Sequence, residues 1–597
     1  MKIDSIKIKN FRSIKNAFIR MHNITAIVGE NNAGKTAILK ALNAVLNFHE
    51  EESSFKTLAH RFAPKTNSYI EVTFDDVPNS YRQYAANGKM TIYFCYKYST
   101  CKRIIHVIDT NTNQEKFIDD DFMNELSEKI MYVYIPADRT TGDVIWERDS
   151  IFKRLVTNYI AQHTINRDRI STHVRTATAK IHSIALKNLE KEINGLYMQD
   201  KNVDFKVTFP LDIDYRVLLN NVTLSLTEHG NSYPIQEWGS GTRSLAIIAL
   251  YRAHALLRKS NIVLGIEEPE INLHPQAQKR FINSLRDKRH DNETQSIFTT
   301  HSTVLVDLLK HDEIVLVRRK NDDKRGFISD IWQLPDDFWQ KYELNEFKHY
   351  QYFTYRNSDF FFSKFIIVGE SKNDCQIFET LLTPSIGAKS SDISYIDAGG
   401  TSSIPYPYFL LKELKIPFVL IVDRDYFFDY YNNNTLDNSR DKHTGLPVYS
   451  KVLKHNSVLD DLFSTEAVRT TIENSHIGGY RTFFNQIKGY RILSMNYCLE
   501  MDLTCSRKAR EQYYNLLHIP AGNQSQKTLL INVSSTDSTL CAQSCYCQTV
   551  ETHSCVSASC QVFATGDFIR QSCLPRRKNA SLQVFVELTT EHLPSAL

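Results

Sequence analysis

A phosphate-binding pattern near the amino terminus constrains this chain more than any other feature of its sequence. Residues 29–36 read GENNAGKT, which fits G-x-x-x-x-G-K-[ST], between a strand-like apolar run and a run with helical spacing. Backbone N–H groups of such a loop and of the helix start behind it bind phosphate oxygens, while Lys35 reaches the β- and γ-phosphates and Thr36 places its hydroxyl on Mg²⁺. The pattern therefore predicts an ATP or GTP site formed by Gly29, Asn32, Gly34, Lys35 and Thr36.

The composition is typical of a multidomain protein of the cytoplasm. The chain has 597 residues, of which 42% are hydrophobic, enough for several cores. Its net charge of +3 means that any nucleic-acid surface is local. No apolar run reaches the roughly 18 residues of a membrane helix, and the few cysteines before residue 500 are expected in a reducing compartment. We expect a cytoplasmic protein with no membrane partner.

The pattern of apolar residues divides the chain into four segments. Residues 1–318 alternate short strands with helices, which predicts a layered α/β domain, and about 145–198 have helical spacing, which predicts an inserted helical arm for dimerisation or packing. Residues 319–360 are predicted to be a connector, and a second α/β alternation covers 361–533. Ser, Thr, Gln and Cys dominate residues 534–597, which we expect to be disordered or foreign to the native reading frame.

Three further motifs follow the phosphate-binding loop in an order that favours a single nucleotide site. The strand-like IVLGIEEP ends in Glu267, which would coordinate Mg²⁺ through water, and Glu268, which would orient and deprotonate the attacking water. Ser240 and Gly241 begin a helix that offers a second anion-binding N-terminus. His301 ends the strand-like FTTHS, from where it can reach a γ-phosphate. Each motif alone is an ordinary acidic turn, helix start or buried histidine, but their order favours catalysis.

Two pairs of acidic residues end apolar strands in the second α/β segment. FIIVGESKND supplies Glu370 and Asp374, and FVLIVDRD supplies Asp423 and Asp425, with a Gly-Gly turn between the pairs. One such pair is usually a solvated strand end. Two pairs predict a divalent-cation site for Mg²⁺, or for Mn²⁺, because functional residues gather at the carboxyl ends of parallel strands.

The first segment resembles the ABC-type ATPase heads of the structural-maintenance and RecF group. The likeness covers about residues 1–318 and includes the opening IKIKNFRSIKNA. It implies that residues 239–243, which read GSGTR, are a signature motif. In that group the signature helix of one head contacts the γ-phosphate held by another, so the resemblance implies a homodimer or a higher homo-oligomer.

The second segment resembles the Toprim domain of topoisomerases, primases and some nucleases. The usual signature is E-G-x-x-D, and Ser371 stands where the glycine is expected. The resemblance implies metal and acid–base roles for the four strand-end acids. It also suggests Glu500 and Asp502 as further metal ligands, a role for which Asp460 and Asp461 are competing candidates. Lys527 lies where the related nucleases place a basic residue that stabilises phosphate charge.

An ABC-type head followed by a Toprim domain resembles the overcoming-lysogenization-defect (OLD) family, which includes Gabija nucleases and retron-associated effectors. The resemblance implies an ATP-regulated, metal-dependent DNA endonuclease of antiphage defence. A helicase, or a reverse transcriptase with its noncoding nucleic acid, is the implied kind of defence partner. Candidate DNA contacts are Lys7, Lys9 and Arg12, or the basic residues among 318–325, although both sets are equally typical of solvated surface.

Two other function classes compete with this interpretation. A non-nucleolytic ATPase scaffold or sensor is favoured by Ser371 but disfavoured by the four retained carboxylates. A topoisomerase would need a nucleophilic tyrosine in a dedicated domain, and the 30 tyrosines include none that is recognisable. A primase is disfavoured because ATPase heads of this kind do not accompany its chemistry.

Overall fold

The computed structural model describes residues 1–139, 151–162, 164–188, 224–228, 231–257, 261–286, 294–353, 358–431, 436–504, 507–516 and 518–531. The chain divides into two compact units, Met1–Ile331 and Trp332–Leu597. No helix in these ranges is both long enough and apolar enough to cross a membrane. The expectations for residues 534–597 concern a segment that lies outside the described residues.

One large mixed sheet organises the first unit. Its strands are β1 Lys2–Phe11, β2 Ile14–Arg20, β3 Ile24–Gly29, β4 Ser68–Asp75, β5 Ala85–Ala86, β6 Lys89–Lys97, β7 Lys102–Asp109, β8 Gln114–Phe117, β9 Ile130–Ile135, β12 Asn261–Glu267, β13 Thr294–Thr300, β14 Ile314–Asp322 and β15 Gly326–Gln333. Their order is β8-β7-β6-β4-β1-β2-β15-β14-β3-β13-β12-β9, with β5 beside β6. Strands β10 Ser225–Glu228 and β11 Asn231–Pro234 form a separate hairpin.

The sheet has a parallel half and an antiparallel half. In the parallel half β3, β9, β12, β13 and β14 are neighbours, and β3 is buried along its whole length. Continuous apolar strands are expected where both faces of a sheet are covered. Since parallel strands end at the same edge, the phosphate-binding loop, Glu267 and His301 are brought to one edge.

Helices pack against both halves of this sheet. The helices of the first unit are α1 Lys35–Leu46, α2 Phe48–Lys56, α3 Asp120–Ser127, α4 Ile151–Gln162, α5 Thr164–Ile181, α6 Ser240–Leu257, α7 Pro275–Arg286 and α8 Thr303–Val306. The described part of the predicted insertion at about 145–198 is helical, and Phe152 of α4 packs with Ile247 and Leu250 of α6. The proposed dimerisation role of this arm stays a prediction.

The first unit extends beyond the predicted boundary at residue 318. That boundary falls inside β14, which pairs with β3, and β15 returns to pair with β2. The predicted connector 319–360 therefore begins inside a strand pair of the first unit, which ends at Ile331. The reason is that the partners of β14 and β15 lie about 300 positions earlier in the chain, out of reach of a local pattern.

The second unit is built on a parallel four-stranded sheet of order β17-β16-β18-β21. Its strands are β16 Phe365–Gly369, β17 Ile393–Asp397, β18 Phe418–Val422 and β21 Ile492–Ser494, with a two-stranded ribbon of β19 Phe428–Tyr430 and β20 Tyr449–Leu453. Its helices are α9 Phe338–Lys341, α10 Glu346–Phe353, α11 Lys372–Ile386, α12 Pro405–Glu413, α13 Ser457–Leu462, α14 Glu466–Ile477, α15 Tyr480–Ile487, α16 Leu499–Thr504, α17 Arg507–Leu516 and α18 Gln526–Ile531. The predicted α/β class is confirmed in both units.

Candidate functional site

The phosphate-binding loop depends on two glycines that no other residue could replace without movement. Gly29 has φ of 144°, and a Cβ there would lie 1.9 Å from the Val317 carbonyl oxygen. Gly34 has φ of 105°, and a Cβ there would lie 2.2 Å from Ser329 Oγ. Such left-handed backbone is freely available only to glycine. The tight turn brings the backbone N–H groups before α1 into position for phosphate binding.

Lys35 lies inside this loop as a buried cation. Its Nζ donates to the carbonyl oxygens of Gly29, at 3.1 Å, and Glu30, at 2.8 Å. Burial lowers the pKa of Lys35 to about 8, although nearby Glu268 and Glu270 oppose the shift. A partly desolvated ammonium beside phosphate-binding N–H groups is well placed to receive phosphate charge.

Glu267 ends β12 at the same edge. Its Oε2 accepts from the backbone N–H of Ala137 at 3.3 Å, and its buried Oε1 has no hydrogen-bond partner among the described residues. Arg139 donates to the Glu267 carbonyl oxygen. An orphaned carboxylate oxygen fits a role in holding Mg²⁺ through water. Arg139 has no motif around it and was missed by the sequence analysis.

Glu268 and His301 meet beside the loop. Glu268 has φ of 41°, and its N–H donates to the Thr299 carbonyl oxygen at 3.0 Å. His301 Nε2 lies 3.9 Å from Glu268 Oε1. Burial, together with the charge of Lys35, lowers the pKa of His301 to about 4, so the imidazole is neutral at pH 7. The structure thus brings His301 close to Glu268 and within reach of the charge of Lys35.

Glu270 is a second residue that sequence reasoning missed. Its Oε1 accepts from the His301 N–H at 2.6 Å, and burial raises the pKa of its carboxyl group. Gly241, in the first turn of α6 behind the exposed Ser240, approaches the loop after Glu270: a Cβ on Gly241 would lie 2.4 Å from the Asn272 carbonyl oxygen. The predicted signature motif therefore packs within its own unit against the loop at residues 268–273, which we call the acidic loop.

Three carboxylates form a compact cluster in the second unit. Glu370, Asp423 and Asp425 each offer an oxygen, and these oxygens lie within 4.8 Å of one another. Glu370 follows β16 and Asp423 follows β18, and these strands are parallel neighbours. The Asp423 N–H donates to Glu370 Oε1 at 2.8 Å. We call these three residues the carboxylate triad.

Asp425 is held on one side by a tyrosine hydroxyl. Its Oδ2 accepts from the Tyr430 hydroxyl at 3.3 Å, and its buried Oδ1 has no hydrogen-bond partner among the described residues. Burial raises the pKa of Asp425, while the charge of Lys454 opposes the rise. A carboxylate cluster with an orphaned buried oxygen fits a hard divalent cation, which takes oxygen ligands.

Lys454 lies beside the triad and was missed by the sequence analysis. Its Nζ donates to the Asp425 carbonyl oxygen at 2.6 Å and pairs with Asp429 Oδ1 at 3.0 Å. Lys454 follows β20, whose pairing with β19 carries it back to the triad. The predicted basic residue, Lys527, lies exposed on α18.

Asp374 lies apart from the triad because it caps its own helix. The Ser371 N–H and hydroxyl both donate to Asp374 Oδ2 at 2.9 Å, and the Asp374 N–H donates to Ser371 Oγ at 3.3 Å. Ser371 thus begins α11 with a reciprocal capping box. Burial raises the pKa of Asp374, and the charge of Asp397 adds to the rise. Asp397, which ends β17, was not among the predicted site residues.

Arg424 lies between Asp423 and Asp425 in the chain. Its guanidinium lies over the rings of Phe428, Tyr480 and Phe483. Its Nη2 donates to His476 Nδ1 at 2.6 Å, and its guanidinium lies 4.1 Å from the centre of the Phe483 ring. Burial lowers the pKa of Arg424 to about 10 and that of His476 to about 4. Asp502, a predicted metal ligand, is buried and accepts from the Asn496 N–H at 2.7 Å. Its charge acts on Arg424, and it is not a member of the triad.

The remaining predicted ligands have other partners or no described side chain. Asp460 pairs with Arg469 at 2.8 Å, and Asp461 pairs with Lys412 at 2.6 Å. The side chain of Glu500 lies outside the described atoms. Among the described residues, only the carboxylate triad has the geometry of a metal-binding group.

Comparisons with known proteins match the two units to two families. Residues 24–307 match the AAA domain family described with the AbiEii toxin of type IV toxin–antitoxin systems. Residues 361–425 match the family described as overcoming lysogenization defect protein-like, TOPRIM domain. The predicted order of an ATPase domain and a Toprim domain is therefore confirmed.

Relatives match over most of this chain. The OLD nuclease of Thermus scotoductus is 26% identical over 70% of this chain and 81% of its own length. The endonuclease GajA of Bacillus cereus (strain HuB5-5) is 20% identical over 86% of this chain and 87% of its own length. A solved Smc head bound to the C-terminal winged-helix domain of ScpA covers 57% of this chain, with 15% identity and a TM-score of 0.36.

Proposed function

Because the chain belongs to the OLD family of ATPase–Toprim proteins, we propose that it is an ATP-regulated DNA endonuclease that depends on a divalent metal. The observation that carries the proposal is the carboxylate triad, whose oxygens converge within 4.8 Å at the carboxyl ends of neighbouring strands. Two relatives that cover most of this chain are named as nucleases, which supports DNA cleavage. Antiphage defence is the role we propose for that activity.

The triad would hold the cation, and the surrounding residues would keep its oxygens in place. A divalent ion such as Mg²⁺ or Mn²⁺, when bound, activates water and stabilises charge on a scissile phosphate. The 2.8 Å hydrogen bond from the Asp423 N–H fixes one oxygen of Glu370. The Tyr430 hydroxyl holds one oxygen of Asp425, and the other oxygen has no hydrogen-bond partner among the described residues.

We assign to Lys454, in place of Lys527, the role of the cation that stabilises phosphate charge. The Lys454 ammonium donates to the backbone of Asp425 and is about one-third exposed, so it can also reach an incoming phosphate. A cation at this point would offset the negative charge of phosphate beside three carboxylates. Asp374, held by Ser371, would act as a positioning residue at the start of α11.

The first unit would bind ATP and control the nuclease. Lys35 would meet the phosphates, Glu267 would hold Mg²⁺ through water, and Glu268 would orient the attacking water. The N–H of neutral His301 would donate a hydrogen bond to a phosphate oxygen without adding a positive charge. On the family resemblance we also propose a homodimer or higher homo-oligomer, and a helicase or a reverse transcriptase with its noncoding nucleic acid as a defence partner.

Cleavage of supercoiled plasmid in Mg²⁺ or Mn²⁺ tests the proposal. We expect Glu370→Gln to lose more than about 100-fold in rate, because even outer-shell partners of a metal site are worth 10–100-fold. The matched control is Glu466→Gln, which makes the same change at an exposed residue of α14 and is expected to leave the rate unchanged. ATP hydrolysis without cleavage by any protein would favour the scaffold or sensor alternative.

A further inference from the structure

The antiparallel half of the first sheet has one buried face and one face that turns to solvent. Burial alternates along β4 and β6, so that Ile70, Val72, Ile92 and Phe94 lie in the core. The alternate residues of these strands point to the other side of the sheet. We call that side the outer face.

Aromatic and charged residues of the outer face form one row across six strands. The cross-strand partners run from β2 to β8 in the order Phe18, Lys7, Glu71, Tyr93, His106 and Phe117. Neighbouring strands are about 4.8 Å apart, so the row is roughly 24 Å long. This length suits a short extended single strand of several nucleotides.

The aromatic rings of the row are more exposed than cross-strand packing requires. The Tyr93 and His106 rings stack at 4.9 Å with an interplanar angle of 7°, which ordinary strand pairing explains. Pairing does not explain Phe18, which is 61% exposed, Phe117, which is 67% exposed, or Tyr69, which is 41% exposed in the next row. Grouped exposed rings mark a binding surface.

The charges between the rings favour an anionic partner. Lys7 and Lys9 are exposed on β1 beside the aromatic residues, and Lys97 pairs across strands with Lys102 at the end of the face. Among the acidic side chains of the face, Glu71 lies 3.1 Å from Lys7 Nζ and Glu115 lies 3.8 Å from His106 Nε2, and Asp75 is exposed at the end of β4.

We propose that the outer face binds single-stranded nucleic acid. Unpaired bases would stack on the rings of Phe18, Tyr69 and Phe117, and backbone phosphates would contact Lys7 and Lys9. A duplex fits less well because its bases are already stacked on one another. A second copy of this chain also fits less well, since lysine is depleted from the cores of protein interfaces.

The proposal does not depend on the carboxylate triad, so it can be tested without cleavage. Fluorescence anisotropy of a labelled oligo(dT) would be measured with the full chain carrying Glu370→Gln, in EDTA. We expect the triple variant Phe18→Ala, Tyr69→Ala and Phe117→Ala to bind at least about tenfold more weakly, because stacking is worth about 1–3 kcal/mol per base. Phe347→Ala removes a ring that is 77% exposed elsewhere, on α10, and serves as the control.

Lysine variants supply an independent readout. Replacing Lys7 and Lys9 by Gln should weaken binding and reduce the slope of log K against log salt by about 0.7 per lost phosphate contact. These substitutions do not remove apolar contacts, so they also keep the test valid if the aromatic variant unfolds.

Three outcomes would overturn the proposal. One is oligo(dT) affinity within about twofold of the parent in both sets of variants. Another is that the parent binds duplex DNA of the same length as tightly as oligo(dT), or more tightly, and that the aromatic variant loses both affinities to the same degree. The third is that the aromatic variant has a smaller molecular mass in solution than the parent but the same oligo(dT) affinity. That result would show that the outer face is a contact between copies of the chain. Binding without any plasmid cleavage by the parent chain would instead reject only the nuclease function.

Discussion

The backbone N–H of Asp423 donates a hydrogen bond of 2.8 Å to Glu370 Oε1. This bond joins the ends of two parallel strands, β16 and β18, and fixes one carboxylate against the backbone of the next ligand. The bond holds Glu370 Oε1 in place, which is the kind of support that a precisely placed metal ligand needs.

The cap of α11 gives the first prediction. Replacing Ser371 by Ala removes the side-chain half of the capping box and should cost about 1 kcal/mol at the helix start, whereas Ser371→Gly should cost only a few tenths. Hydrogen exchange of the peptide from Ser371 to Asp374 should then be about fivefold faster in the Ala variant. Equal exchange in the parent and both variants would show that the cap contributes nothing.

The contact between α6 and the acidic loop gives the second prediction. A methyl group at Gly241 would lie 2.4 Å from the Asn272 carbonyl oxygen, so Gly241→Ala must displace the helix start or the loop. Such overpacking costs about 1–3 kcal/mol, and we expect slower ATP hydrolysis and faster hydrogen exchange from Glu268 to Leu273. Gly489→Ala, which makes the same change in the second unit at a glycine whose Cβ would meet nothing within 4 Å, should leave hydrolysis nearly unchanged. Equal effects of the two substitutions would refute the packing argument.

The depressed pKa of Lys35 gives the third prediction. The folded, nucleotide-free protein binds this proton with a pKa of about 8, below the ordinary 10.5. The unfolded chain therefore binds more protons between these values, and the free energy of unfolding rises with pH through that window. Phosphates of ATP favour the charged ammonium, so ATP binding at about pH 9 should take up nearly one proton per site.

Calorimetry of ATP binding in two buffers with different ionisation enthalpies would measure that proton. Lys35→Arg is the control, because its guanidinium stays charged throughout this range, and it should remove the uptake. If the parent chain took up no proton, Lys35 would already be charged before ATP binds.

The contact between Arg424 and His476 gives the fourth prediction. The pKa of His476 is lowered to about 4 from 6.5, so the unfolded chain takes up this proton first as the pH falls through that window. Acid should therefore destabilise the fold, and the melting temperature should fall less steeply from pH 7 to about pH 5 in His476→Gln, which does not titrate. His476→Leu, which cannot accept from Arg424, should already melt lower at pH 7. Parallel melting curves for all three proteins would refute this assignment.

The sequence predicted the parts of the site that lie in local motifs. Glu370, Asp423 and Asp425 follow buried apolar strands, and parallel strands bring such ends together. Ser371 was noted as a departure from the family pattern, yet S-x-x-D is itself a capping-box pattern, so a signal for its role was present.

Other site residues had no local signal. Lys454 reaches the triad through the β19–β20 ribbon, and Arg139 reaches Glu267 from the segment after β9. The end of the first unit was placed too early because β14 and β15 pair with strands from the start of the chain. Long-range pairing of this kind leaves no periodicity in the sequence.

Calorimetric titration with Mn²⁺ tests the central claim, that the triad is a metal centre, most directly. We predict one binding event in the second unit of the parent chain that is lost in Asp425→Asn and kept in Asp461→Asn, whose carboxylate pairs with Lys412 outside the triad. The parent chain and both variants all carry Lys35→Ala and Glu267→Gln, which remove Mn²⁺ binding at the nucleotide site of the first unit. Equal Mn²⁺ binding by the parent and Asp425→Asn would contradict the account.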